Sequence, residues 1–376
     1  MAEVETTVHL QRDDVSSTVH PAHELDSEER FWRDLQPWLK KRGYLLRPRY
    51  HPGWVASWVG TKKKWYDCED GHTGNTLVLD AIKVSDGTAV GLKQLELGQE
   101  HGSNEIDIAL FFSSEALAKD TRNHCVPVYE VLQIPDNENM RILVMPLLRR
   151  YCDPQMQTVG EAVEFFHQMF EGLYFMHEHH VAHRDCHRLN IMMDPKPLYP
   201  IMYHPAEDDM KHDFSGRVKH LTRTARPVKY YWIDFGLSRK YDPKGPPPLE
   251  TDFISGDKTI PEFQGQNKAY DPFPADVYCA ANIIRKDFLQ TYRGVEFMRS
   301  LISDMTQDDP RRRPSMDVVV ARFQEIRAAL SLSMLRKRLV PHDEEGVISF
   351  FKGIRHMYRT VGYALRRIPP VPTPST

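Results

Sequence analysis

The sequence predicts an α+β chain in two lobes, a small strand-rich lobe first and a larger helical lobe after it. Two patterns predict this. From about residue 50 the chain turns strand-like. "TLVLDAIKV", "TAVGLKQL", "CVPVYEVLQI" and "MRILVMPLL" are short runs rich in β-branched and apolar residues. From residue 158 onward helices dominate, and "TVGEAVEFFHQMFEGLYFMHEH" and "DVYCAANIIRKDFL" each carry an apolar stripe at helical spacing. A β-rich half followed by a helical half is an α+β plan.

Taken in order, residues 1–25 hold few large apolar side chains and are expected to be disordered. Residues 26–48 form a helical extension. Asp26 and Glu29 suit a capping box, Phe31, Trp32, Leu35, Trp38 and Leu39 recur at helical spacing, and Pro37 is expected to kink or divide the helix. Packing on the outside of the first lobe is the plain reading of that helix, and docking of a partner is the alternative. The first lobe covers 49–148, where "SDG" marks a hairpin turn between the first two strands. "EIDIALFFSSEAL" reads as one helix. The second lobe covers 149–330 and contains a polar insertion at 194–227, too long for an ordinary connection and so either functional or mobile. Residues 240–260 are loop-like. Residues 331–376 join a basic amphipathic stretch to the Pro-rich "PPVPTPST". Its apolar residues Phe350, Phe351, Ile354, Met357, Tyr358, Val361 and Leu365 are expected to pack against the helical lobe. Peripheral contact of this tail with a membrane is the alternative.

Composition narrows the classes. A net charge of −3 gives no general attraction to nucleic acid. Five cysteines without a C-x-x-C pair speak against a disulfide framework and a zinc site, and fit a reducing compartment. No signal peptide and no spanning helix are expected, so the chain reads as an intracellular protein of the cytoplasm or nucleus. A monomer is expected.

The chemistry sits in two motifs. In "HRDCHRLN", Asp185 is a candidate base and Asn190, five residues on, a candidate metal ligand. In "YYWIDFGLS", Asp234 follows a short apolar strand and precedes a glycine, where it could hold metal. Phosphoryl transfer asks for metal ions on the phosphates, a cation on the nucleotide tail and a group that orients the hydroxyl. Asp and Asn supply the oxygen ligands that such hard cations take.

With these motifs the chain resembles the eukaryotic protein kinase superfamily from roughly residue 60 to 330. Further matches are Pro261 and Glu262 in "TIPEF", Asp276 as a helix-starting residue, and Arg313 in "DDPRRRPS" as the ion-pair partner of Glu262. "DCEDG" and "HCVP" resemble protein kinase-like proteins of fungi. The resemblance implies a two-lobed protein kinase-like fold that binds ATP and Mg²⁺ and phosphorylates Ser or Thr of a protein substrate. It implies Lys93 as the phosphate-binding lysine. Lys83 in "DAIKV" is the decoy, because choosing it would leave the strand "GLK" without a role. Glu105 is the partner implied for Lys93, with Asp107 second. Met145 would be the gatekeeper and Pro146 to Leu148, with Leu147 at its centre, the hinge beside the nucleotide, and Gly91 replaces the adenine-flanking Ala of the third strand. Arg184 would bind a phosphorylated residue of the activation segment, with Thr251 and Ser255 as acceptors.

Two departures stand out. No G-x-G-x-x-G precedes the hairpin, and Gly71 and Gly74 in "CEDGHTGNT" are the nearest candidates for a phosphate loop, a plain turn being the alternative. His187 stands where protein kinases carry a lysine, a pattern shared with small-molecule kinases of the aminoglycoside and choline type. A protein kinase is the favoured reading. A pseudokinase scaffold and a small-molecule kinase are the alternatives.

Overall fold

The computed structural model describes residues 23–98, 100–251, 256–264 and 269–374. Most of the segment expected to be disordered therefore lies outside the described residues, as does Ser255. The fold is mixed α/β, with a curled sheet in the N-terminal region and helices in the C-terminal part.

Helix α1, Ser27–Lys41, opens with the capping box: Glu29 N–H donates to Asp26 at 2.8 Å and Asp26 N–H donates to Glu29 at 3.1 Å. Pro37 lies inside α1 and neither divides nor ends it. The proline lies on the exposed side, where water can reach the carbonyl that its ring leaves without a donor. Trp32 and Leu39 are fully buried against the sheet, and the Trp32 indole N–H donates to the Thr76 carbonyl at 2.7 Å.

Five antiparallel strands form that sheet: β1 Tyr44–Leu45, β2 Val78–Lys83, β3 Ala89–Glu96, β4 Glu130–Gln133 and β5 Met140–Pro146, in the order β1-β2-β3-β5-β4. The β2–β3 hairpin turns at "SDG", where Gly87 takes φ 73°. Residues 50–77 are not strands, contrary to expectation. They make loops and short 3₁₀ turns, because Pro52, Gly53, Gly60 and the run Lys62–Lys64 interrupt any pleated pattern. The helix expected over "EIDIALFFSSEAL" begins earlier and breaks into α2, Glu100–Phe112, and α3, Glu115–Ala118. At the break the Ser113 hydroxyl accepts from Val128 N–H at 2.8 Å, which draws the chain toward β4.

The helical part is built on α4, Val159–Glu178, whose Phe165, Phe166 and Phe170 are fully buried. Helices α5 Pro272–Ile284, α6 Arg299–Met305, α7 Met316–Ala329, α8 Leu332–Leu335 and α9 Gly346–Leu365 complete it. Asp276 is not the residue that starts α5. Asp271 caps that helix, accepting from Phe273 N–H at 3.0 Å, and Asp276 is buried one turn further in. Short strands frame the loops: β6 Arg149–Arg150, β7 Val181–Ala182, β8 Ile191–Met193, β9 Tyr203–His204, β10 Glu207–Lys211, β11 Tyr230–Trp232 and β12 Arg239–Lys240.

The 194–227 insertion is folded and joins the two regions. Its β9–β10 hairpin carries His204, fully buried, whose Nδ1 accepts from Ala206 and Glu207 N–H. That leaves Nε2 to donate to Glu69 at 3.3 Å. Beside it Arg47 is 4% exposed and donates to Asp80 (3.0 Å) and to the carbonyls of His72 and Thr73 (both 2.8 Å). On the opposite side Arg149 stacks on Tyr203 and Tyr199 and pairs with Asp153 at 2.6 Å. Thr224 closes the insertion onto α4 through Glu161.

Helix α9 docks, but not by the expected face. Ser349, His356 and Tyr363 meet Arg338, the Arg336 carbonyl and Thr222, while Phe350, Phe351, Ile354, Met357, Tyr358, Val361 and Leu365 are all exposed. Polar groups of the 331–340 segment need partners, and only the polar side of the helix offers them. No described helix is long and apolar enough to cross a membrane.

Removing the Arg47 charge leaves Asp80 buried without its cation. Arg47→Met is expected to lower unfolding stability by about 3–5 kcal/mol in urea titration. A loss below about 1 kcal/mol would show that the network contributes little.

Candidate active site

Antiparallel pairing sets Val78 opposite Lys93 and Gly91 opposite Met145. Lys93 thus lies mid-strand on β3, in the centre of the sheet. Its Nζ donates to Glu105 on α2 at 2.6 Å and to Asp234 at 2.9 Å. Lys83 ends β2 and faces Asp86 of the hairpin turn at 3.6 Å. Asp107 is exposed on α2. Burial would depress the Lys93 ammonium, but Glu105 and Asp234 outweigh it and hold the group above its ordinary value. Burial pushes the Glu105 carboxyl up, against the opposing pull of Lys93. Asp234 is also driven up by burial, and Lys93 more than reverses that, so its carboxyl lies below the ordinary range.

Asp234 takes φ 63°, the left-handed region, which aspartate enters more readily than most residues. Phe235 behind it is buried against Phe112 and His183. Pairing of β11 with β8 brings this turn to the "HRDCHRLN" loop, where Ile233 N–H donates to the Asn190 carbonyl at 3.0 Å. Asn190 donates its amide to the Asp185 carboxylate (2.8 Å) and carbonyl (3.0 Å). Its amide oxygen and the Asp234 carboxylate are hard donors of the kind Mg²⁺ takes, with nucleotide phosphates and water completing such a set.

The loop is held from below by Asp276. Its carboxylate accepts from His183 N–H at 2.7 Å and Arg184 N–H at 2.8 Å, and His177 lies 3.1 Å away. Arg184 is forced to φ 65°. Burial pushes the His183 imidazole down, so it is neutral and donates through Nε2 to the Ile233 carbonyl.

Arg184 is not turned toward an open site. Its guanidinium meets Glu250 at 3.0 Å, both side chains being 4% exposed, and Glu250 also accepts from Arg239 and Tyr241, each at 2.6 Å. Thr251, next in the chain, is exposed. Arg313 forks onto both oxygens of Glu262 at 2.7 Å. Asp185 Oδ1 accepts from the backbone N–H of Gly256 at 2.6 Å, and Asp185 Oδ2 lies 3.8 Å from His187 Nδ1. Gly256 is packed so closely on the His187 ring that a Cβ would fall 2.4 Å from Cδ2.

Gly71 is buried in a 3₁₀ turn, its N–H donating to Cys68 and its α-carbon against the Trp65 carbonyl. Gly74 takes φ 75° and abuts Ala206 of the insertion. Both lie on the segment that leads into the Lys93 end of β2. Met145 and Leu147 are half-buried at the end of β5 and just beyond it.

Three participants carry no sequence signal: Glu250, and the pair Arg47 and His204 that fixes the Gly71–Gly74 segment. Their partners are distant in sequence. No local pattern could have singled them out.

No protein-family model matches the chain. The serine/threonine-protein kinase CAK1 of Saccharomyces cerevisiae is 26% identical to it over 231 residues, 57% of this chain and 54% of the yeast protein. The match thus spans about half of that relative. It supports a place in the protein kinase-like superfamily and kinase-type phosphotransfer in general.

Asp276→Ala would strand two buried N–H groups, each costing about 1–3 kcal/mol. Urea unfolding should register the loss, and hydrogen exchange at His183 and Arg184 should accelerate. Unchanged exchange at both amides would contradict the clamp.

Proposed function

We propose that this chain is a protein kinase of the two-lobed kinase-like fold, with lobes at 49–148 and 149–330, transferring the γ-phosphoryl group of ATP to Ser or Thr of a protein. One observation carries the reading. Lys93 brings together Glu105 and Asp234 through contacts of 2.6 and 2.9 Å, Asn190 holds Asp185 at 2.8 Å, and the Ile233 N–H to Asn190 carbonyl bond links the two groups through the backbone. A chain freed from catalysis has no chemical need for all five.

In this reading Lys93, held by Glu105, binds the nucleotide phosphates. Asn190 and Asp234 hold Mg²⁺, which neutralises phosphate charge when bound. Asp185 orients the acceptor hydroxyl, and His187 stands near enough to meet the transferred phosphoryl. The hydroxyl competes with Gly256 N–H for the same carboxylate, so the segment carrying Gly256 must move aside. Glu250 gives Arg184 a fixed anion in the place that the resemblance assigns to a phosphorylated residue. The Glu262–Arg313 pair favours a protein kinase over a small-molecule kinase.

Lys93→Met is expected to reduce transfer to a generic protein substrate by about 10²–10³-fold, and Lys83→Met to leave it nearly intact. The reverse result would overturn the lysine assignment.

Asp185→Asn should lower transfer by about 10²–10⁴-fold while sparing ATP–Mg²⁺ binding. Asp234→Asn should weaken the metal-dependent binding itself, read by calorimetry. If the parent protein binds no ATP with Mg²⁺ or Mn²⁺, the scaffold reading replaces this one.

A further inference from the structure

Helix α9 has three sides. Its 20 residues span about 30 Å, and each step turns about 100°. One side, with Ser349, His356 and Tyr363, rests on the protein. A second, about a third of the circumference, points away from the body and carries Phe350, Phe351, Ile354, Met357, Tyr358 and Leu365. Phe351 is 66% and Tyr358 72% exposed. The third is basic, with Lys352, Arg355, Arg359 and Arg366.

The basic side borders a cleft of about 710 Å³ between α9 and the insertion, where Lys219 faces Arg355, His356 and Arg359. Its two carboxylates are already engaged. Asp153 pairs with Arg149, and Glu344 pairs with Arg338 and Lys352. Among the described residues no carboxylate pairs with Lys219, Arg355 or Arg359. No acidic residue occurs from Gly346 onward. The cleft is therefore a patch of uncompensated positive charge directly beside an uncovered apolar arc.

We propose that α9 seats the protein on an anionic phospholipid surface. The apolar arc enters the boundary between headgroups and acyl chains, and Arg355, Arg359 and Lys219 meet the lipid anions. Charge complementarity selects this occupant. An apolar arc flanked by cations along a surface helix fits the in-plane membrane geometry. The whole chain carries −3, so the local patch, not the overall charge, directs the approach. None of these residues belongs to the candidate active site, so the proposal does not depend on the catalytic reading.

The test is co-sedimentation of the full chain with vesicles of phosphatidylcholine alone or mixed with phosphatidylserine. Binding to the mixed vesicles should exceed binding to the neutral ones by roughly tenfold or more and should fall as salt is raised. Phe351→Glu should abolish it without moving the melting temperature, since that ring is not part of the core. Arg355→Glu with Arg359→Glu should reduce it by roughly tenfold. Absence of binding to the mixed vesicles, or binding untouched by Phe351→Glu, overturns the proposal. A dimer that Phe351→Glu dissociates, without vesicle binding, would assign the face to a second copy of the chain and overturn it equally.

Discussion

Asp276 accepts hydrogen bonds from two successive backbone N–H groups, those of His183 and Arg184, and so holds a turn that the chain would not otherwise keep. A left-handed arginine costs about 1–3 kcal/mol and persists only where its surroundings over-determine it. Much else hangs from that turn. His183 reaches the Ile233 carbonyl, Ser238 reaches the His183 carbonyl, and Arg184 reaches Glu250. The strand before Asp234 and the loop bearing Asp185 are thereby fixed to one buried carboxylate. Their positions are set by hydrogen bonding more than by apolar packing, which lacks direction.

The same device recurs through the molecule. Arg49 is buried with Glu29, Arg47 with Asp80, Arg184 with Glu250, and Arg313 with Glu262. A buried ion pair adds little net stability over apolar residues of equal size, because desolvation offsets the attraction. Breaking one partner is costly, however. Each pair therefore acts as a positional constraint: the helix extension is tied to the 49–76 segment, and Glu250 and Glu262 are tied to Arg184 and Arg313. The insertion extends this logic by inserting a neutral, buried His204 beside Arg47, so that the region before β2 is held from outside its own sheet.

Helix α9 shows what happens when polar and apolar demands compete. The apolar arc would gain from burial, at about 25 cal/mol per Å². Turning it inward would leave the Arg336 carbonyl and the Thr222 hydroxyl without their partners on α9. The polar side wins, and the arc remains outside.

The sequence by itself determined whatever rests on near neighbours. The capping box at Asp26, the β2–β3 hairpin, helix α4 and the five-residue spacing of Asp185 and Asn190 are all written in residues close together in sequence. The resemblance, through the register of the hairpin, pointed to Lys93 in place of Lys83. Tertiary structure decided the rest. Pro37 stays within one continuous α1 because it occupies the exposed side, and the carbonyls of Asp70, His72 and Thr73 are taken up by Arg49 and Arg47. Glu250 finds Arg184, and Arg47 lies beside His204 157 residues away. Which face of α9 turns inward depended on partners outside the helix. The spacing of apolar residues tells that a helix has an apolar face. Only the arrangement of hydrogen-bond donors and acceptors around that helix decides whether the face is covered.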